Sequence, residues 1–323
     1  MARRRHLMLG AAALPFAARA QGTWPSRPVR ILVPDAPGSG NDITARVLAA
    51  GFERLLGQPF PVENRAGAGG RIGVEAAFRS APDGSTLLLG NAGSNGINAA
   101  LYRDLPYDLT RDFVPVSLLV SGPNALCVNA RIFDVQDVAG LIRVIRERPA
   151  GFYNYATAGA GSSAHFSMEL FKAMTGLDLV HVPFRGSAGM AQAVVQGDAP
   201  VLIANLVNVM PFVQRGEMRM LAVSALERWP ELPDVPTLNE SGLPGYETLA
   251  WNAIFGPPGL PEAIVQRVRE VALRIGAEAE TQERIRALGG RFVGSTPEEL
   301  SARVRADVAK WRDVAARANI RVD

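Results

Sequence analysis

Cysteine is nearly absent from this 323-residue sequence. Cys127 stands alone, so no disulfide can form within the chain, and a cysteine-based metal site has little support. Histidine is scarce too; beyond the first twenty residues only His165 and His181 occur. Neither belongs to an H-E-x-x-H pattern or a His/Cys cluster, so no metal and no cofactor is expected. No G-x-S-x-G is present; Ala92-Gly93-Ser94-Asn95-Gly96 lacks the first glycine. Ser162, Ser163 and His165 are neighbours in sequence, but residues so close at a helix start seldom align as nucleophile and base. His165 reads instead as a structural or ligand-orienting donor, and His181, inside an apolar strand, as a core residue. No catalytic residue is expected. Asp35 and Asp42 flank one loop and stay open as an acid–base pair. Low-complexity tracts and short repeats are missing. No stretch after the leader is long and apolar enough to cross a bilayer as a helix.

What is present fits a globular chain, with 48% hydrophobic and 20% charged residues. The length suits two lobes of roughly 100–200 residues each. The first twenty residues stand apart. Arg3, Arg4 and Arg5 form a basic start, Leu7 to Phe16 an apolar run, and Ala18-Arg19-Ala20 an A-x-A end. This is the layout of a signal peptide cleaved near Ala20, which predicts a periplasmic protein. Arg4-Arg5-His6-Leu7-Met8 also has a twin-arginine look, so Sec and twin-arginine export both stay open. Cleavage would remove Arg3, Arg4, Arg5 and Arg19 and take the formal charge from +3 to −1. The basic balance therefore belongs to the leader, and no nucleic-acid partner is expected.

The remainder alternates apolar strands with amphipathic helices. Val29 to Val33 reads as a buried strand, followed by a turn-rich loop and a helix capped by Asn41 or Asp42 and ended by Gly57. Further strands are expected at 86–90, 125–128, 152–156, 179–184, 201–204 and 219–224. Helices are expected at 71–80, 94–101, 138–148, 163–175 and 188–196. Alternation of this length implies α/β architecture with parallel sheets covered on both faces. From Pro261 the chain reads as helical. Thr296-Pro297-Glu298-Glu299 is a capping box ahead of Leu300, Val304, Val308 and Trp311 on one helix face. That helix is expected to pack a lobe and nothing more.

Three glycine-rich segments follow strands and open helices: Pro37 to Asp42, Asn91 to Asn95, and Ala158 to Ser163. Ligands in open parallel sheets sit at the carboxyl ends of strands, where helix starts offer free N–H groups and a partial positive charge. Gly159-x-Gly161-x-x-Ala164 also matches a dinucleotide fingerprint. The acid that should follow the next strand is missing, and Arg185 stands there instead. Gly67-Ala68-Gly69-Gly70 lacks the Gly-Lys-Ser/Thr of a phosphate loop and reads as a packing turn.

These segments, in order with others, resemble a Bug-type receptor, the extracytoplasmic solute-binding component associated with tripartite tricarboxylate transport. The match includes Trp24-Pro25, Leu32-Val33-Pro34, Gly57-Gln58-Pro59, Val62-Glu63-Asn64-Arg65, Ala81-Pro82-Asp83-Gly84 and Leu105-Pro106-Tyr107-Asp108. It continues through Pro115 to Leu119, Asn154-Tyr155-Ala156, His181 to Gly186, Leu232 to Thr237, Gly242-Leu243-Pro244-Gly245 and Thr296 to Glu299. The resemblance implies a type II periplasmic-binding-protein fold, two doubly wound lobes joined by two crossing strands. The first crossing is expected near Val120 and the return near Ser224. Lobe one would then be 24–121 plus 226–323, and lobe two 122–225.

The resemblance also implies that a small organic carboxylate is held in the cleft for a membrane permease. The expected contacts are Asp35, Ala36, Gly38, Ser39, Asn41, Asp42, Asn91, Ser94, Gly159, Gly161, Ser162, Ser163, His165, Ala204 and Asn205. Two positions depart from the family pattern: Asp35 stands where an aromatic residue is usual, and Ala204 where an Asp often precedes the Asn. An acid in the first loop repels an anionic ligand. This points to a monocarboxylate, or to a ligand with a basic or amide group facing Asp35. A monomer is expected. A sensor that feeds a signalling partner, and an α/β hydrolase, are the competing readings.

Overall fold

The computed structural model describes residues 24–102, 104–317 and 320. The expected signal peptide lies outside the described residues. Chain order starts with β1 (Arg30–Val33), α1 (Gly40–Leu56), β2 (Val62–Asn64), α2 (Arg71–Phe78) and β3 (Thr86–Asn91). A widened helical turn at Gly93–Ile97 then leads into α3 (Asn98–Leu101). Next come β4 (Val114–Asn129), α4 (Val138–Arg146), β5 (Asn154–Thr157), α5 (Ser163–Thr175), β6 (Val180–Pro183), α6 (Gly186–Gln196), β7 (Val201–Asn205), α7 (Leu206–Gln214) and β8 (Met218–Val223). The chain closes with β9 (Leu249–Gly256), α8 (Glu262–Gly276), α9 (Ala279–Ala287), β10 (Arg291–Phe292) and α10 (Pro297–Arg317).

Two sheets share one long strand. β2, β1 and β3 run parallel, and antiparallel β9 sits between β3 and the first part of β4. At Asn124, β4 leaves β9 and pairs β7, beyond which lie parallel β5 and β6, with β8 on its other side. Alternation along each strand explains the two covered faces. Ile31 and Val33 enter one core with α1 and α8, while Leu32 enters another with α2 and α10. Leu126 and Val128 likewise face α4 and α5, and Ala125 and Cys127 face α6 and α7. Apolar residues on both faces of a strand mark a sheet buried on both sides.

The two-lobed architecture with two crossings is therefore what the chain forms, but the return lies elsewhere than expected. After β8 the chain stays on the second sheet. Leu238, Leu243 and Tyr246 pack into the core of β5 and α5, and Trp229, Leu232 and Val235 against that of α6 and α7. It crosses back only at Thr248–Leu249, where β9 begins. Residues 226–248, expected with lobe one, thus pack on the second sheet, and pairing with the first part of β4 begins at Leu249. The reason is the apolar content of 226–248, an irregular segment that buries large side chains without forming a helix or strand.

The two crossings are tied side by side. The Asn124 amide donates to the Thr248 carbonyl at 2.9 Å and approaches its hydroxyl at 3.1 Å, and the Asn124 N–H donates to Ser224 Oγ at 2.8 Å. The capping box of α10 forms as expected: Thr296 N–H meets Glu299 at 2.8 Å, and Glu299 N–H meets Thr296 Oγ1 at 3.2 Å. α10 does more than pack lobe one. Trp311 meets Phe166 of α5 edge to face at 5.6 Å, in a small core with Ile97, Leu101 and Val314.

Candidate functional site

The carboxyl ends of β1, β3, β5, β6 and β7 all open onto one cleft between the lobes, with a volume near 680 Å³. Its floor is the crossing itself: Val120, Gly122 and Pro123 of β4, and Ala250 to Asn252 of β9. Helix starts converge from both sides. Lobe one contributes Gly38 to Asn41 at the start of α1 and Ala92 to Ser94 after β3. Lobe two contributes Gly159 to Ala164 at the start of α5, Arg185 to Ala188 at that of α6, and Asn205 to Asn208 at that of α7. Each start has backbone N–H groups without an intrahelical partner, so the cleft presents donors and partial positive charge to an anion.

Local chemistry explains these loops. Ser39, not Asn41 or Asp42, caps α1: its Oγ accepts from Asp42 N–H at 3.2 Å. Ser162 does the same for α5, accepting from His165 N–H at 3.3 Å. Asn91 and Ser94 bond reciprocally, Asn91 N–H to Ser94 Oγ at 3.1 Å and Ser94 N–H to Asn91 Oδ1 at 2.9 Å. Gly161 sits at φ +79°, a left-handed conformation, and a Cβ there would lie 2.6 Å from Leu101 Cδ1 of the facing lobe.

Of the expected contacts, Asp35, Ala36, Gly38, Ser39, Asn41, Asn91, Ser94, Gly159, Gly161, Ser162, Ser163, Ala204 and Asn205 line the cleft. Asp42 and His165 lie outside that lining and bond to the loops that form it. The Asp42 carboxylate turns back to accept the Gly38 N–H at 2.9 Å and pairs with Arg46 at 3.0 Å. Burial pushes its pKa up, but the bonds from Arg46, Gly38 and Asn64 outweigh that and hold it below the usual range.

His165 Nδ1 accepts the Gly161 N–H at 3.2 Å, and its ring stacks on His181 at 4.0 Å. His181 stacks in turn on Tyr155 and bonds Thr157 Oγ1 at 2.7 Å. The expected core residue is thus half-buried on an edge strand and braces the same loop. Burial, then mutual repulsion, lowers His165 to about 4, and burial lowers His181 as well, so both rings are neutral near pH 7. A neutral ring is what Nδ1 needs in order to accept. The Nδ1 lone pair of His165 is already taken by the Gly161 N–H, so that nitrogen is not a base for Ser162 or Ser163.

Asp35 lines the cleft half-buried and accepts from the Asn91 amide at 3.0 Å. Burial raises its pKa to about 6, against the lowering effect of the Ala36 N–H and Asn91 and with a small push from Asp42. Arg185, Ser187, Val207 and Asn208 also line the cleft and were not expected contacts. Arg185 carried the right signal, since Pro183-Phe184-Arg185-Gly186 is another strand end opening a helix. Among the described residues no group of three His, Cys, Asp or Glu could hold a metal ion.

A sequence model of the tripartite tricarboxylate transporter family receptor matches residues 44–310. BugT of Bordetella pertussis is 34% identical over 294 residues, 90% of this chain and 89% of BugT. Among solved structures, a protein of R. palustris with adipate shares 36% identity and a TM-score of 0.85, covering 92% of this chain and 99% of that one. MatC from Rhodopseudomonas palustris with bound malate shares 33% identity and a TM-score of 0.81, covering 90% and 99%. With this match along its length and this two-lobed cleft as its fold, the chain belongs to the Bug-type receptors of the tripartite tricarboxylate transporter family.

Proposed function

We propose that this protein is an exported receptor that captures a small organic carboxylate between its lobes and passes it to the membrane permease of a tripartite tricarboxylate-type system, catalysing no reaction itself. The observation that carries this reading is the convergence of helix starts from both lobes on one cleft. An anion held there draws N–H donors from both sides, so its binding favours the closed form. The adipate and malate in two structural relatives support a carboxylate as cargo. The lobes in this reading are 24–123 with 249–317, and 124–248, turning about the Asn124–Thr248 tie. The thirteen expected residues that line the cleft are the proposed contacts, chiefly through backbone N–H groups and the hydroxyls of Ser39, Ser162 and Ser163.

The test is a melting-temperature screen of organic acids on the mature protein, paired with mass spectrometry of whatever co-purifies. A ligand that binds only the folded chain at about a hundred times its Kd stabilises it by about 2.7 kcal/mol. At least one carboxylate is expected to give such a shift. A full panel without any shift, together with no co-purified acid, would refute the receptor reading.

A further inference from the structure

Two charged side chains line the cleft among the described residues, Asp35 on one lobe and Arg185 on the other. We propose that the cleft selects a carboxylate that also carries a nitrogen donor, an ammonium or an amide, with the nitrogen against Asp35 and the carboxylate toward Arg185 and the helix starts of the second lobe. This rests on the receptor reading above and deepens it.

Asp35 is set up to receive such a group. Its carboxylate takes the Asn91 amide at 3.0 Å and the neighbouring Ala36 N–H, which leaves acceptor capacity on the oxygens, and no described side chain forms an ion pair with it. The nearby cation, Arg46, is already spent on Asp42, whose carboxylate points back into the α1 loop. The opposite wall offers no second acid: Ala204 is fully buried beside Asn205, and Arg185 is exposed with no ion pair among the described residues. Charge therefore runs in one direction across the cleft, negative at the β1 loop and positive at the start of α6.

Three kinds of ligand surface could close over Asp35. An alkyl end would strip water from a half-buried carboxylate and return no hydrogen bond. A second carboxylate would oppose it with like charge unless a proton is taken up. An ammonium or amide N–H fills the open acceptor and, if charged, offsets the acid. The first two carry a penalty that the third does not. An unsubstituted dicarboxylate and a plain fatty acid are therefore both poor cargo, although a carboxylate end suits the rest of the cleft.

Calorimetric binding to the mature protein tests this. Succinate, glutarate and adipate are each compared with their monoamide and their ω-amino counterpart, on the native chain and on Asp35→Asn and Arg185→Ala. On the native chain the nitrogen-bearing member of a matched set should bind at least about tenfold more tightly than the dicarboxylate, the usual scale of one charge-assisted hydrogen bond. Asp35→Asn, nearly isosteric, should cancel or reverse that order while raising dicarboxylate affinity. Arg185→Ala should weaken all members alike and keep the order. If carboxylates bind but Asp35→Asn leaves the order untouched, or a dicarboxylate wins on the native chain with uptake of one proton, this inference fails and the receptor reading stands. If no carboxylate in the wider screen binds, both fail together.

Discussion

Asp35 is held in a setting that favours its protonated form. Its folded pKa of about 6 exceeds the ordinary 3.8, so the folded chain keeps a proton that the unfolded chain gives up. The stability tied to that proton is whole in acid and is lost as pH rises through about 6. Near pH 8 the burden is at most about 3 kcal/mol. Asp35→Asn should thus raise the melting temperature of the ligand-free protein near pH 8 and leave it nearly unchanged near pH 4; an unchanged value at both would show that Asp35 is well solvated. His165 has the opposite sign. Its folded pKa of about 4 lies below the ordinary 6.5, so its contribution is whole above 6.5 and is lost as pH falls toward 4. His165→Asn should cost about 1–3 kcal/mol at neutral pH, the range for a buried N–H left without its partner, here that of Gly161. Its denaturant midpoint should also fall less steeply between pH 6.5 and 4 than that of the native chain. These two residues mark what sequence could convey at this scale. A polar residue beside a helix start looks the same whether it faces a ligand or the loop backbone. Asp35 faces the cleft, whereas Asp42 and His165 turn inward, and that choice depends on rotamers set by Arg46 and His181.

Glycine and serine at strand ends were legible because they follow apolar runs and precede helical periodicity; α5, expected at 163–175, forms over that span. The long β4 was not: only 125–128 was expected as a strand, and Pro115, Gly122 and Pro123 are residue types that ordinarily interrupt one. In the folded chain the register slips between Pro115 and Ser117, and Gly122-Pro123 lies where β4 exchanges β9 for β7, so each turn-like residue sits at an irregularity of one strand. β9 and the segment 226–248 were missed because their partners are distant in sequence. α10 was read as packing one lobe, yet Trp311 reaches Phe166 of the other. Trp311→Ala should cost about 3–5 kcal/mol in chemical denaturation, the range for a buried aromatic truncated to a methyl. Gly161 permits a sharper comparison. Gly176 shares its left-handed backbone, at φ +69°, but has nothing within 4 Å of an added Cβ. Gly176→Ala should then cost only the backbone strain, about 1–2 kcal/mol. Gly161→Ala carries the same strain plus a clash with Leu101, and should weaken ligand affinity as well as stability. Equal losses and unaltered affinity in both variants would mean that the Gly161–Leu101 approach plays no part in closure.

At the scale of the molecule, the question is whether the lobes move as units. Their edges meet at the mouth of the cleft, where a Cβ placed on Gly40 at the start of α1 would lie 3.7 Å from Val207 Cγ1 at the start of α7. Cγ1 of Val207 marks one position that a cysteine sulfur at 207 can take, so Gly40→Cys with Val207→Cys places a sulfur close to the facing Cβ and can bridge the two lobes after a small adjustment. Gly40 has no positive φ to oppose a side chain, and the native Cys127 is buried in β4 where it cannot exchange. Oxidation should give one cross-link, read as a mobility shift on a non-reducing gel. If ligands enter through lobe opening, oxidation before ligand is added should abolish binding, and oxidation afterward should retain ligand through dialysis until a reductant is supplied. Binding that proceeds at the native rate in the oxidised, initially empty protein would show that entry needs no such motion. The cleft would then act as a fixed pocket, and the tie between Asn124 and Thr248 would be a brace instead of a pivot.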